Sequence, residues 1–352
     1  MPINDQKLEQ FARQAFGDLS IATSGVMVSL GHRLGLYRAM MDAGPLSSEE
    51  VAQRSGCAPR YVREWLNGQV ASGYVDYDGD KQTYELGPEQ AMVLANPDSP
   101  VFMAPAWEVG ASMWADMDAA LAAFRSGEGV PWGAHDARLY SGTAAFFRNG
   151  YRENLVPNWL PALEGVVEKL ERGGRVADIG CGHGHSTVLM AQAFPKSKFS
   201  GFDTHRPSID AARETAAEGQ VTGNTRFEVA SARDFPAEQF DLVCYFDCLH
   251  DLGDPLGAAR HARGCLKADG SVMLVEPIAG DRVEDNINPF GRMSYAASTM
   301  LCCAHSLSEE GGAALGAQAG EKRLRQIFQK AEFGSFRRAA ETPFNMILEA
   351  RK

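Results

Sequence analysis

The sequence predicts an α/β protein: a doubly wound, mostly parallel sheet closed by an antiparallel C-terminal hairpin, preceded by an α-rich winged-helix segment and a helical cap. Three observations carry this. From Gly173 onward, short apolar runs alternate with helical stretches, the pattern of parallel strands joined by crossover helices. The tail FGSFRRAAETPFNMILEARK offers two strands separated only by a short turn at Thr342 and Pro343, which suits an antiparallel pair at a sheet edge. Before Gly173 the texture is helical, apart from one alternating stretch around Gly79.

The elements follow in order. Gly25 to Gly44 carries apolar residues at helical spacing and stops at a glycine, which predicts one helix. LSSEEVAQRSG reads as a short helix capped by Ser47, with Glu50 three residues on to complete a capping box. Pro59 opens a third helix in which Val62, Leu66 and Val70 recur on one stripe. GYVDYDGDKQTYELG then alternates apolar and polar residues about an acidic, glycine-containing turn, as a hairpin does. Three helices and a hairpin make a winged helix over residues 1–90. Residues 91–170 are helical in pattern, with turn signals at Asn96 to Pro100, Gly127 to Pro131 and Ser141 to Gly142, and read as a linker and cap. Residues 171–352 hold the sheet, with strands in RVADIG, KFSGFD, TRFEVA, FDLVCYF and SVMLVEP.

VADIGCGHGHSTVLMAQAF places Gly180, Gly182 and Gly184 between an apolar strand and an apolar helix. Glycine serves such a turn because the backbone bends tightly and admits a ligand with no Cβ in the way. The spacing is GxGxG, and His185 stands where a dinucleotide fingerprint has its third glycine, which weighs against NAD. Asp203 ends the next apolar run, where a carboxylate can accept both ribose hydroxyls of a nucleoside. The expected ligand is therefore a nucleoside cofactor. The fourth strand delivers Phe246, Asp247, His250 and Asp251 at its C-terminal end, the rim where open α/β sheets bind ligands. Asp254 followed by Pro255 reads as a helix cap with proline in the first turn.

The DxGxGxG motif from Asp178 to Gly184, with Asp203 beyond it, resembles the first motif and ribose-binding acid of the class I S-adenosylmethionine-dependent methyltransferases. The resemblance covers nearly the whole chain, because small-molecule O-methyltransferases combine a winged-helix dimerisation domain, a helical cap and a Rossmann-like catalytic domain in this order. It implies that Asp178, Gly180, Gly182 and Gly184 hold the methionine half of S-adenosylmethionine, Asp203 the ribose, and Thr204 the neighbourhood of the adenine. It further implies that Ser231, Ala232 and Arg233, in VASARDFP, contact the adenine ring, that Phe246 lines the cofactor seat, and that S-adenosylhomocysteine is the product. By the same resemblance His250 is the candidate general base and Glu276 the residue that orients it, a sensible pairing because a carboxylate fixes the imidazole tautomer. The family's further glutamate has no counterpart, and its place falls near Gln318. The implied reaction is methyl transfer to a small molecule, most simply to a hydroxyl.

Aromatic and methionine side chains at Phe290, Met293, Tyr295 and Met300, with Trp107, Trp114, Phe146, Phe147 and Tyr151, suit either an apolar lid or ordinary core and interface. Trp107 and Tyr295 are the candidate substrate contacts. His183 and His185 have no metal-site spacing, no HExxH motif occurs, and no metal is expected. The adjacent Cys302 and Cys303 fit a soft metal, arsenic or plain packing, and are read as packing.

Composition bounds the partners. Forty-five acidic residues against 34 basic give a formal net charge of -11, which disfavours a nucleic-acid partner. Between Gly25 and Gln90 nine acidic residues outnumber six basic ones, so the winged helix lacks the basic footprint of a DNA reader and is expected to serve dimerisation. A regulator with a metabolite-sensing C-terminal domain, a cofactor-binding domain with other chemistry, and an NAD-dependent oxidoreductase remain the alternatives. Seven cysteines without a paired framework, no leader pattern at the N-terminus and no long apolar run point to a cytoplasmic protein with reduced thiols, away from membranes.

Overall fold

The structure, a computed structural model, describes residues 2–352. It divides into two compact units: residues 2–111 with 141–149, and residues 112–140 with 150–352.

In the N-terminal unit, α1 runs Asp5–Arg33, twenty residues earlier at its start than the periodicity predicts, and the predicted single helix is broken at Leu34 and Gly35 before α2 (Leu36–Met40). The sequence signal misses the start because Leu8, Phe11, Phe16 and Leu19 are exposed, so no buried stripe marks that half. Helix α3 (Ser48–Ser55) carries the full capping box: Ser47 Oγ accepts from the Glu50 N–H, and Glu50 accepts from the Ser47 N–H. Helix α4 (Pro59–Ala71) buries Val62, Trp65 and Leu66. Strands β1 (Asp76–Asp78) and β2 (Thr83–Glu85) pair antiparallel, and Leu46 bridges to Tyr84 as a third short partner. Tyr37 and Trp65 meet edge to face at 5.0 Å in this core. Helix α5 (Pro88–Leu94) adds Ala91 and Leu94, so the core continues past residue 90.

Helices α6 (Ala106–Ala115), α7 (Met117–Ser126) and α8 (Arg138–Asn154) follow. The turn expected at Ser141 to Gly142 lies inside α8. Gly142 is there for close approach: a Cβ on it would come within 3.1 Å of the Pro105 carbonyl and 3.0 Å of Glu108 Cβ. A π-helical turn (Leu155–Trp159), α9 (Leu160–Ala162) and α10 (Val166–Arg172) lead into the sheet.

The sheet comprises β3 (Arg175–Ile179), β4 (Lys198–Asp203), β5 (Thr225–Val229), β6 (Phe240–Phe246), β7 (Leu266–Pro277), β8 (Ser335–Glu341) and β9 (Asn345–Arg351), in the order β5-β4-β3-β6-β7-β9-β8. The first five strands are parallel, and β9 runs antiparallel between β7 and the edge strand β8, as the tail predicts. Every residue of β6 is buried, and alternation divides them between two cores. Val243 and Tyr245 face one side with α13 (Pro255–Cys265) and α16 (Gly320–Lys330), while Leu242, Cys244 and Phe246 face the other with α10, α11 (His185–Ala193) and α12 (Arg206–Glu218). The strand order reverses between β3 and β6, and their C-terminal ends open the crevice where such sheets take ligands. Helices α14 (Pro289–Ala297) and α15 (Cys303–Ser308), joined by a π-helical turn at Ser298–Cys302, form the insertion after β7. No helix among the described residues is long and apolar enough to cross a membrane.

Candidate active site

The glycine turn joins β3 to α11, and all three glycines have positive φ: +67° at Gly180, +52° at Gly182 and +76° at Gly184. They differ in what surrounds them. A Cβ on Gly180 would lie 2.8 Å from Cys248 Sγ, and one on Gly184 would lie 2.9 Å from the Phe227 ring. A Cβ on Gly182 would meet nothing within 4 Å. Two of the glycines are therefore required by protein packing, and the middle one presents bare backbone to open space, a surface that a ligand can approach closely.

Asp203, at the end of β4, is tied to that turn. Its Oδ2 accepts from the Gly182 N–H at 2.9 Å and its Oδ1 from the His205 N–H at 2.8 Å. Burial pushes its pKa above the usual carboxylate value, against the opposing pull of those two donors. Asp178, on β3, is 1% exposed, and its Oδ2 accepts from Ser186 Oγ (2.7 Å) and Thr187 Oγ1 (2.6 Å). Its Oδ1 is buried with no partner, and burial raises its pKa to about 6. An open glycine seat, a carboxylate fixed beside it and an orphaned buried oxygen together suit a ligand with ribose hydroxyls and a cationic group.

Of the other cofactor candidates, Phe246 is 6% exposed, with the Tyr151 ring 5.4 Å away, and Thr204 is exposed beside Asp203. Ala232 is buried in the core. The Ser231 hydroxyl donates to Asp234 at 2.7 Å, and Arg233 pairs with Glu310 at 3.0 Å. These two side chains are committed to neighbours in the protein, which leaves chiefly backbone groups of this segment for a ring.

His250 lies in the 3-10 turn after β6 and Glu276 at the end of β7, 4% and 2% exposed. Parallel pairing of β6 with β7 brings the two strand ends together, and His250 Nδ1 shares a hydrogen bond with Glu276 Oε2. Asp251 Oδ1 stands 3.1 Å from Nε2, within ion-pair reach of the ring. Burial opposes charge on His250, but the carboxylates of Glu276 and Asp251 outweigh it and push its pKa well above the ordinary imidazole value. Asp254 caps α13, as expected, by accepting from the Gly257 N–H at 2.8 Å.

The sequence names Asp247 and Tyr151 but not their geometry. Asp247 has φ +49°, a strained value for a non-glycine residue, and holds Asn345 Nδ2 at 2.8 Å through Oδ1 while Oδ2 is buried without a partner. Burial and the nearby Glu276 push its pKa well above the carboxylate range. Tyr151, partly buried near Asp247 and Asp178, has its phenol pKa pushed well up by desolvation. Tyr140 stacks on His205 at 4.4 Å, and the Trp132 backbone N–H donates to His305 Nδ1 at 3.2 Å, so the stretch between the turns at Gly127 to Pro131 and Ser141 to Gly142, read as linker and cap, lies beside the Asp203 corner. No local pattern connects positions 65 apart in the chain. Tyr295 is 37% exposed and its hydroxyl meets Asn286 Nδ2 at 3.4 Å; Trp107 belongs to the N-terminal unit and packs against its core beside Gly25. Gln318 donates to the Ala317 carbonyl, and its own carbonyl oxygen is buried without a partner.

Residues 22–96 match the family model of the Rv2258c-like winged HTH domain, and residues 170–332 that of a methyltransferase domain. A 107-residue segment is 30% identical to 27-O-demethylrifamycin SV methyltransferase of Amycolatopsis mediterranei, covering 30% of this chain and 39% of that protein. A 70-residue segment is 37% identical to trans-aconitate 2-methyltransferase of Streptomyces coelicolor, covering 20% and 23%. The chain thus spans less than half the length of these curated relatives. Over the whole chain the fold is similar to human N-acetylserotonin methyltransferase, solved in complex with S-adenosylmethionine, at TM-score 0.69 and 17% identity, covering 97% of each chain. It is also similar to an O-methyltransferase family protein from Burkholderia thailandensis, at TM-score 0.70 and 17% identity, covering 100% and 99%.

Proposed function

We propose that the chain is a class I S-adenosylmethionine-dependent methyltransferase with an N-terminal winged helix and that it methylates a hydroxyl of a small-molecule acceptor, a reading supported by the winged HTH match over residues 22–96 and the methyltransferase-domain match over residues 170–332. The observation that carries the reading is the Gly182 seat, open and laced to Asp203. Bound S-adenosylmethionine supplies an electrophilic methyl group and leaves as S-adenosylhomocysteine. In this reading Gly182 admits the cofactor to the backbone, Asp203 receives the ribose hydroxyls on its remaining lone pairs, and Asp178 Oδ1 faces the methionine end. Thr204 and the backbone of Ser231, Ala232 and Arg233 border the adenine, and Phe246 lines the seat.

His250 acts as the base. Glu276 holds the Nδ1–H, which fixes the tautomer with the lone pair on Nε2, and the acceptor hydroxyl gives its proton to that nitrogen as its oxygen takes the methyl group. Much of the rate comes from alignment of acceptor and donor, which a closed apolar surface assists. Tyr295, on the insertion after β7, is the proposed acceptor contact.

The winged helix fits dimerisation better than DNA reading. On α4 Arg60 pairs with Glu64 at 2.5 Å and Arg63 with Glu49 at 3.0 Å, so its cations are engaged by carboxylates. Leu8, Phe11, Phe16, Leu19, Val26 and Leu30 lie exposed along one side of α1, an apolar face suited to the same face of a second copy. Seven unpaired cysteines fit a reducing cytoplasmic setting. The test is transfer of labelled methyl from S-adenosylmethionine to a panel of phenols, alcohols, carboxylates, amines and thiols. Turnover with hydroxyl acceptors supports the proposal, and turnover confined to amines or thiols refutes the acceptor assignment.

A further inference from the structure

The unused chemistry nearest the site lies on the Nε2 side of His250. A nitrogen of His250, a carboxylate oxygen of Asp251 and Cys302 Sγ all lie within 4.8 Å of one another. Nε2 is the nitrogen concerned, because Nδ1 is held by Glu276 and Nε2 stands 3.1 Å from Asp251 Oδ1. Cys302 reaches this place from the π-helical turn between α14 and α15, and it is 7% exposed.

We infer that His250 Nε2, Asp251 and Cys302 form a binding site for one zinc-like divalent cation, and that a cation held there withdraws His250 from proton transfer. Nitrogen, oxygen and sulfur donors on three residues are the set that borderline-soft cations take. Tetrahedral zinc, with bonds of about 2.0–2.3 Å, places its ligands roughly 3.3–3.8 Å apart, which small side-chain shifts reach from this arrangement. Three protein ligands leave the fourth position open to water or an acceptor oxygen. The surroundings are also those of a metal ligand. Glu276 on Nδ1 makes the carboxylate–histidine arrangement that orients a ligating imidazole. Glu276 Oε1 is enclosed without a hydrogen-bond donor, and among the described residues no lysine or arginine pairs with Glu276 or Asp251, whose carboxylates both face the one imidazole of His250. A cation at this point meets the buried negative charge of two carboxylates that share a single imidazole. The neighbouring Cys303 is not part of the set: its sulfur contacts Ser298 Oγ at 3.5 Å and the Ala314 carbonyl at 3.9 Å.

The inhibitory consequence rests on the methyltransferase reading above, whereas the binding site does not. The experiment titrates the full-length, chelator-stripped protein with Co2+ and Zn2+. One Co2+ per chain is expected, with tetrahedral ligand-field bands and a thiolate charge-transfer band. Cys302→Ala should abolish the thiolate band and weaken Zn2+ binding roughly tenfold or more, Asp251→Asn should weaken it similarly, and Cys303→Ala should leave both intact. Zn2+ should inhibit methyl transfer by the wild type, reversibly on chelation, and inhibit Cys302→Ala only at roughly tenfold higher concentration. Absence of Co2+ binding, or a thiolate band that persists unchanged in Cys302→Ala, overturns the site. Metal binding as expected with undiminished methyl transfer overturns only the inhibitory role.

Discussion

Gly182→Ala separates a ligand role for the glycine turn from a structural one. The added Cβ meets nothing within 4 Å, so its cost to the folded protein is that of an L-residue held at φ +52°, about 1–2 kcal/mol. At about 2–4 °C per kcal/mol for a unit of this size, Tm should fall by roughly 2–8 °C. The same methyl group projects into the proposed cofactor seat, where overpacking costs about 1–3 kcal/mol, a loss of about 5- to 150-fold in affinity. Gly184→Ala provides the contrast: its Cβ lies 2.9 Å from the Phe227 ring and 3.0 Å from Ala212 Cβ, so packing strain adds to a φ of +76° and its Tm loss should be roughly double. Differential scanning fluorimetry gives the stabilities, and isothermal titration with S-adenosylhomocysteine gives the affinities. Wild-type affinity in Gly182→Ala would refute the seat.

The remaining predictions concern the base, its titration, the dimer and one cap. His250→Ala should lower kcat by about 10²–10⁴-fold with hydroxyl acceptors while leaving S-adenosylhomocysteine binding near wild type, as steady-state kinetics and titration will read. In chelator-treated enzyme a base must be unprotonated, and its pKa is raised by Glu276 and Asp251, so kcat/KM should climb with pH through an apparent pKa above the ordinary imidazole value. Glu276→Gln removes one of those negative charges, so the rising limb of the pH profile should move to lower pH. Phe11→Glu with Leu19→Glu should shift the protein from dimer to monomer in light scattering, because both side chains are exposed on α1. Ser47→Ala should cost about 1 kcal/mol by removing the capping box of α3, measured by denaturant unfolding.

Much of the site could be read from the chain because it is built from neighbours. Asp178 to Gly184 is one continuous turn, and Asp203 ends the adjacent strand, so strand pairing alone delivers the carboxylate to the Gly182 N–H. The His250–Glu276 pairing is implied by the family resemblance, and the structure brings the two together through the parallel pairing of β6 with β7. What stayed hidden depends on long-range packing or on backbone strain. The positive φ of Asp247 leaves no mark on composition, and its bond to Asn345 spans two strands joined only through the tail hairpin. Cys302 read as packing, because its neighbours His250 and Asp251 are brought to it by an insertion whose π-helical turn has no sequence period. The start of α1 was invisible for a different reason: its apolar side chains are not buried within this chain, and the helix break at Gly35 disguised where the buried part ends. The turn read at Ser141 and Gly142 erred because a glycine that serves helix contact looks, in sequence, like one that serves a bend.

The most direct test of the account is isothermal titration of the purified full-length protein with S-adenosylhomocysteine, run beside NAD and beside the Asp203→Ala variant. One S-adenosylhomocysteine per chain is expected, with no heat from NAD and an affinity loss of about 10-fold or more in the variant, as when hydrogen bonds to a charged acceptor are removed. Saturable NAD binding, or S-adenosylhomocysteine binding that Asp203→Ala leaves unchanged, would contradict it.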